Sequence, residues 1–395
     1  MQSLFISHYT LTTCLGHGRE ANWQAILDQR SGLSQGVFET VNLSTYIGEV
    51  QDVACTVIPE HLSHHLCRNN QLALLALQQD GFDVAVMSAI HTYGRHRIGV
   101  FLGTSTSGIL STELAYRVRQ AATGELPDDF RYAQTHNTFS VGGFVREYFS
   151  LEGPAVVVSS ACSSSAKVFG NAARMMACGL IDAAIVGGVD SLCLTTLYGF
   201  NSLELLSPEK CQPFGAHRQG ISVSEAAGFA LLTRDKHSDR NTISVLGIGE
   251  SSDAHHMSSP HPEGLGALAA MQKALAVAKL EAKDVDYINL HGTATRSNDA
   301  AEGLAVASLF GTATPCSSTK GHTGHALGAA GIIETALCVM AIDKELIPGG
   351  VNTIEVDSNL HVNYQLKNLN RAPSIVLTNS FGFGGSNCSL VVGYQ

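Results

Sequence analysis

Charge is scarce in this chain of 395 residues, with Asp, Glu, Lys and Arg together making up 15% of it. Hydrophobic residues supply 45%, enough for a large buried core, and that balance excludes an intrinsically disordered chain. Basic residues are the minority even among the few charges, 24 against 34 acidic ones. The net charge of −10 leaves no general attraction for nucleic acid or for an anionic membrane surface. No apolar run of membrane-spanning length is present. The opening residues, Met1 to His8, precede the first basic residue, Arg19, and contain no long apolar run. They read as an edge-to-core strand, not as a signal peptide. Paired cysteines are missing as well. Ten cysteines lie scattered without a CxxC spacing, which disfavours a zinc site or a disulfide framework and fits reduced core thiols in a cytoplasm.

What remains is a regular alternation of short apolar runs and amphipathic stretches, the signature of an α/β protein with a covered sheet. Strands are expected at Leu4–Ser7, Ile98–Leu102, Ala155–Ser159, Ala184–Gly187, Ile243–Ile248, Tyr287–Leu290, Ile375–Asn379 and Ser389–Val392. Helices are expected at Glu20–Gln29, Leu62–Gln79, Ser163–Cys178, Leu265–Leu280, Asp299–Phe310 and Gly324–Ile342. The last is rich in Gly and Ala, which lowers helix propensity and points to close backbone packing at a buried position. No linker splits the chain. Two halves, 1–240 and 241–395, are expected to meet in one compact unit.

Four segments could carry chemistry. In the first, the strand-like Val156–Val158 breaks through Ser159-Ser160-Ala161 into a helix, presenting Cys162 near the helix N-terminus. There the helix dipole favours a thiolate and free N–H groups can face an oxyanion, although a core cysteine in a tight turn would show the same pattern. In the second, a strand ends in His291-Gly292-Thr293-Ala294-Thr295, at the kind of strand C-terminus where open α/β sheets bind ligands. The third, Ser317 to Gly331, holds Lys320, His322 and His325. A helix start at His325 is expected to keep its imidazole neutral, while His322 reads as a turn residue. The fourth is the glycine-rich Phe381-Gly382-Phe383-Gly384-Gly385, which lacks the Lys-Ser/Thr ending of a phosphate loop.

Taken in order, Cys162, His291, Lys320, His325 and the terminal Gly-Phe-Gly-Gly loop resemble the elongating β-ketoacyl-[acyl-carrier-protein] synthases of the thiolase superfamily. The resemblance runs from Trp23 and Ser31-Gly32 through Ser252–Pro260 to Asn387. It implies a pseudo-duplicated five-layer αβαβα fold, normally dimeric, with the active site between the halves. It also implies roles. Cys162 accepts an acyl chain from the phosphopantetheine thioester of an acyl carrier protein, and the amides of Cys162 and Phe383 hold the oxyanion. His291 and His325 stabilise the enolate formed when malonyl-carrier protein loses carbon dioxide. Lys320, paired with Glu334, orients this site; Thr293, Thr295 and Ser258 contact the phosphopantetheine arm; Phe383 is the gate. No metal and no permanently bound cofactor are implied.

Two departures from the family pattern bear on substrate and partner. Thr106 stands where fatty-acid enzymes often carry a branched apolar residue at the acyl pocket, which argues against a saturated fatty acyl substrate, while type II fatty-acid and polyketide synthesis, an aryl-polyene type included, both stay open. The segment Leu62–Asn69 aligns with a usually basic carrier-docking helix, yet only Arg68 keeps a permanent charge there. Docking through Arg68, through Arg117 and Arg119, or elsewhere stays open. Gly215 and Gln219 replace common acidic residues. Three alternatives are weighed against elongation. A thiolase needs a second catalytic cysteine ahead of its glycine run, whereas Cys388 follows it; CoA-primed initiating synthases carry Asn where His325 stands; and a non-catalytic chain-length factor lacks the nucleophile. An active subunit can still require such a factor, so homodimer and heterodimer both remain.

Overall fold

The structure, a computed structural model, describes residues 4–235 and 242–394. The first half contributes β1 (Leu4–Thr13), β2 (Ile98–Gly103), β3 (Ala155–Val158), β4 (Ala183–Asp190) and β5 (Ala226–Thr233). The second contributes β6 (Ile243–Ser252), β7 (Tyr287–Asn289), β8 (Pro315–Ser317), β9 (Ile375–Gly382) and β10 (Ser386–Tyr394). Their hydrogen-bonded order is β3-β2-β4-β5-β1-β6-β10-β9-β7-β8, with the two-residue strand Asn363–Tyr364 beside β8. Counted within its own half, each set runs 3-2-4-5-1 from outer edge to seam. Pairing repeats too: the second strand is parallel to the third and fourth, while the fourth, fifth and first pair antiparallel. The chain is therefore a structural duplication, which no sequence repeat announces.

Eight helices matter for the argument: α1 (Gly18–Leu27), α2 (Arg68–Leu77), α3 (Phe82–Tyr93), α4 (Ser140–Tyr148), α5 (Ser164–Ala177), α6 (Leu265–Ala278), α7 (Arg296–Phe310) and α8 (Ala330–Asp343). Helices α2, α3 and α4 cover the outer face of the first half-sheet, and α6 and α7 that of the second. Between the half-sheets, α5 and α8 pack on each other and on strands of both halves, completing the five-layer αβαβα arrangement. Strands β2, β4 and β5 are buried along their whole length, as their unbroken apolar runs require. Helix α8 is buried from Ala330 to Ile342, and each large apolar side chain so buried contributes about 1.5–3 kcal/mol. Its glycines are there for close approach: a Cβ at Gly331 would come within 2.6 Å of the Ala166 nitrogen on α5.

Several expectations change. The N-terminal strand is central, not marginal, because β1 pairs with β5 on one side and with β6 on the other (Leu4↔Val245, Phe5↔Ser244). The expected helix Leu62–Gln79 breaks at Leu66-Cys67 into a 3₁₀ segment, Glu60–His65, and α2; the extended backbone of Cys67 ends one and starts the other. The expected helix Gly324–Ile342 begins only at Ala330, since Gly324 (φ +71°) and Leu327 (φ +48°) interrupt it. Strands β5 and β8 and helices α3 and α4 are additional elements. The expected boundary at 240 lies outside the described residues.

Candidate active site

The turn after β3 is held by its serines. Ser164 Oγ accepts from the Ser160 amide (2.9 Å) and donates to the Ala161 carbonyl (2.6 Å), while Ser163 Oγ donates to the Ser160 carbonyl (2.9 Å). Ala161 takes φ +51° there, a conformation that costs a non-glycine residue about 1–2 kcal/mol and that aims Cys162 toward the second half. Cys162 is 6% exposed. Its thiol is not the low-pKa group expected of a helix N-terminus: burial pushes it up to about 11, against the pull of Lys320 and of the Phe383 amide. The loop after β9 presses on this turn, and a Cβ at Gly382 would meet the Ser160 carbonyl oxygen at 2.9 Å. That contact brings the Phe383 N–H to the sulfur.

The histidines come from the other half. His291 follows β7, and Glu302 on α7 accepts the backbone amides of both His291 and Gly292, each at 2.8 Å. Asn379 Nδ2 donates to the same carboxylate at 3.0 Å. Burial raises Glu302 to about 7 despite these donors. His325 sits in the loop before α8, its amide donating to Ser222 O (2.8 Å) and its carbonyl accepting from Ser224 N (3.0 Å). Its Nε2 lies 3.1 Å from Cys162 Sγ. The two imidazoles meet edge to face, centroids 5.4 Å apart. Both are held well below the ordinary histidine range by burial and by the charge of Lys320, so both are neutral. For His325 the cause is thus desolvation, not the helix start anticipated from the sequence.

Lys320 is 1% exposed and serves three acceptors: His291 Nδ1 at 3.3 Å, the His291 carbonyl at 2.6 Å, and the Glu334 carboxylate on α8. Burial raises Glu334 to about 7, with Lys320 pulling it down. An ammonium can only donate, so His291 Nδ1 accepts and its proton resides on Nε2.

These groups open into a cleft of about 580 Å³ including its mouth, lined by Cys162, His291, His325, Phe381 and Phe383 and further out by Thr293, Thr295 and Ser258. The Thr293 and Thr295 hydroxyls are 2.9 Å apart. The Phe383 ring faces Phe200 at 5.8 Å. Thr106 is placed elsewhere: it lies off this cleft, buried, with its hydroxyl donating to Asp190 at 2.9 Å. Arg68 is not a free docking charge either. It forms a two-point pair with Glu225 (2.9 and 2.5 Å) and reaches Glu49 at 3.2 Å. Arg117 pairs with Glu39 at 3.0 Å. His322 is a structural residue with ring nitrogens 2.9 and 3.0 Å from the carbonyls of Arg30 and Gly349. Cys388 is fully buried in β10.

Sequence reasoning passed over three acidic residues that hold this site. Besides Glu302, Asp299 takes the Phe214 amide (2.8 Å), and Asp190 takes the amides of Ser105 and Thr106 (2.7 and 2.8 Å). The available signal was their spacing: Asp299 and Glu302 stand three residues apart just inside a helix capped by Thr295. Cys162, His291 and His325 each offer a ligand atom within 4.8 Å of the others, a donor set of the kind zinc accepts. The Lys320 ammonium beside His291 opposes a dication there. Among the described residues no helix is long and apolar enough to cross a membrane.

Comparison with known proteins agrees with this geometry. The N-terminal domain family of β-ketoacyl synthases matches residues 6–238, and the C-terminal domain family matches 243–353. The chain is 31% identical to 3-oxoacyl-[acyl-carrier-protein] synthase 2 of Vibrio cholerae, covering 95% of each. It is 34% identical to Nodulation protein E of Rhizobium meliloti, over 74% of this chain and 75% of that one. Among solved structures it is similar to the ketosynthase ApeO in complex with its chain length factor ApeC from Xenorhabdus doucetiae, at 37% identity and TM-score 0.89, over 100% of this chain and 98% of that one. A thiol, two neutral imidazoles and a backbone amide, converging from the two halves of a duplicated αβαβα fold, thus sit in a chain that belongs to the β-ketoacyl synthases, the elongating condensing acyltransferases of the thiolase superfamily.

Proposed function

We propose that Cys162 carries the acyl chain in a two-step condensation with malonyl-acyl carrier protein. The observation that carries this reading is the 3.1 Å approach of His325 Nε2 to Cys162 Sγ. In the first step the thiol attacks the thioester carbonyl of an acyl-carrier protein, the Cys162 and Phe383 amides hold the oxyanion, and the thiol proton leaves through His325 to the departing phosphopantetheine thiol. In the second step malonyl-carrier protein loses carbon dioxide, and His291 and His325 donate hydrogen bonds to the enolate oxygen. The enolate carbon attacks the Cys162 acyl carbonyl and expels the thiolate, which takes a proton from solvent. The product is a 3-oxoacyl-carrier protein.

Thr293, Thr295 and Ser258 at the cleft mouth serve the phosphopantetheine arm, and Phe383 gates entry of the second substrate. Lys320 and Glu334 position His291. The first half, 1–240, brings the nucleophile and the second, 241–395, the imidazoles. All ten cysteines are free, seven of them buried, which suits a reducing compartment such as the cytoplasm. The pathway is type II fatty-acid or polyketide synthesis, the latter including an aryl-polyene type. A second reading concerns assembly, with the 37% identity to a ketosynthase solved with its chain length factor as its support. In it, this subunit works only with a non-catalytic partner.

The test is intact-protein mass spectrometry after incubation with saturated, unsaturated and aromatic acyl-carrier proteins, with and without malonyl-carrier protein. Acylation of Cys162 that malonyl-carrier protein discharges is the expected result. Acylation only after a chain-length factor is added supports the second reading. Acylation at a residue other than Cys162 overturns both.

A further inference from the structure

A second cluster lies outside the catalytic cleft, where the 3₁₀ segment Glu60–His65 meets α4. Glu147 Oε2 is 3.0 Å from His65 Nε2 and 3.5 Å from His64 Nε2, and the two imidazoles are neighbours with centroids 4.4 Å apart. The three potential ligand atoms all fall within 4.8 Å of one another.

The wiring of His65 says what these atoms face. Its ring is buried, edge-on to Phe144 at 5.8 Å, and its Nδ1 points at the Gln134 carbonyl at 3.4 Å. A carbonyl only accepts, so the tautomer that satisfies this contact has its proton on Nδ1 and its Nε2 lone pair toward Glu147. His65 Nε2 and Glu147 Oε2, 3.0 Å apart, are bridged either by a proton, as in an imidazole–carboxylate hydrogen bond, or by a metal ion in the tautomer with Nδ1 protonated. The arrangement is also supported from behind. The Gln134 carbonyl that fixes His65 accepts in turn from Ser140 and Asn70, and Asn70 Nδ2 donates to the His65 carbonyl at 2.8 Å. A carbonyl that fixes a histidine tautomer is the usual outer support of a metal-binding imidazole. Because His64 and Glu147 are 40% and 48% exposed, the cluster is open on one side, toward a groove that includes Gln134 and Phe139. A water could complete the coordination there.

We propose that His64, His65 and Glu147 form a binding site for a divalent transition-metal ion of the zinc type, independent of the catalytic cleft. Two imidazole nitrogens and one carboxylate oxygen, with a fourth position open to solvent, are a ligand set that such an ion takes tetrahedrally. Bound there, the ion ties the 3₁₀ segment before α2 to α4, two elements that already pack through His65 and Phe144.

The test is Zn²⁺ titration by calorimetry into the full-length Cys162→Ala protein, which removes the thiol of the other possible donor cluster. One equivalent is expected to bind, and His64→Ala and Glu147→Gln, both exposed positions, are each expected to weaken it roughly tenfold or more. Circular dichroism confirms that the variants are folded. Co²⁺ substituted into the wild-type chain is expected to give a visible d–d spectrum without a thiolate charge-transfer band. No stoichiometric binding, an affinity unchanged in both variants, or a thiolate band at the first equivalent overturns the proposal.

Discussion

Lys320 Nζ contacts His291 twice, at the ring Nδ1 (3.3 Å) and at the carbonyl oxygen (2.6 Å). One ammonium thereby fixes where the imidazole sits and which nitrogen bears its proton. His291 can only present Nε2–H to the cleft, which makes it a standing hydrogen-bond donor and a poor base. Long-range ¹H–¹⁵N spectra of histidine-labelled protein should show His291 as the neutral Nε2–H tautomer at about pH 6, where an unshifted imidazole would be mostly protonated. In Lys320→Met that fixed tautomer should be lost, and malonyl decarboxylation should fall far more than acyl loading. His291→Ala should show the same split, whereas His325→Ala, which removes the neighbour of the thiol, should slow both half-reactions.

The raised pKa of Cys162 has a direct chemical readout. A group at about 11 is almost wholly protonated at neutrality, so its thiolate fraction grows as pH rises toward that value. Alkylation of Cys162 by iodoacetamide should therefore increase roughly tenfold per pH unit between about pH 7 and 9 without levelling off. Peptide mass spectrometry resolves it from the exposed Cys55 and Cys178. A plateau below pH 8 would contradict the buried, protonated thiol described above.

Glu302 uses both oxygens on the His291-Gly292 backbone, and Gln can supply only one. Glu302→Gln turns an amide donor against the Gly292 N–H and leaves a buried donor unpaired, at a cost of about 1–3 kcal/mol. A lower melting temperature should accompany loss of condensation, with Cys162 acylation retained because the turn after β3 is untouched. Equal loss of both half-reactions would mean that the substitution disturbs the whole interface between the halves.

Thr106→Ile separates two properties of one position. Loss of the hydroxyl bond to the buried Asp190 should lower stability by about 1–3 kcal/mol, read by thermal unfolding. Because Thr106 lies off the cleft, the acyl preference should stay unchanged in a competition among acyl-carrier proteins. Destabilisation with an unchanged substrate profile would confine Thr106 to a structural role.

Where the sequence was informative, the chemistry was local. Cys162 stands out because small polar residues separate an apolar strand from a helix, and His291 because it ends a strand before Gly292, whose φ of +39° and close approach to Ser318 leave no room for a Cβ. Arg68 stayed open as a docking charge for the opposite reason: its partner Glu225 is 157 residues away, so nothing nearby shows that its charge is already paired. Asp190 acts in the same long-range way on the amides of Ser105 and Thr106, whereas Glu302 reaches amides only 11 and 10 residues before it. The duplication was legible only through the family resemblance, because it is a repeat of strand order and pairing direction, and 3-2-4-5-1 leaves no short-period repeat in residue identity. The break at Leu66-Cys67 was hidden by apolar spacing that suits a helix on both sides of it.

Among the described residues β1 and β6 join the half-sheets through two residue pairs, and α5 and α8, packed on each other and on strands of both halves, help to fix how the halves sit. Cys162 precedes α5 and His325 precedes α8. Their 3.1 Å separation is therefore a machining tolerance, cut at Gly331 by the absence of one methyl group against Ala166. A side chain added there would touch no reacting group, yet it would press α8 away from α5 and disturb the approach of imidazole to thiol.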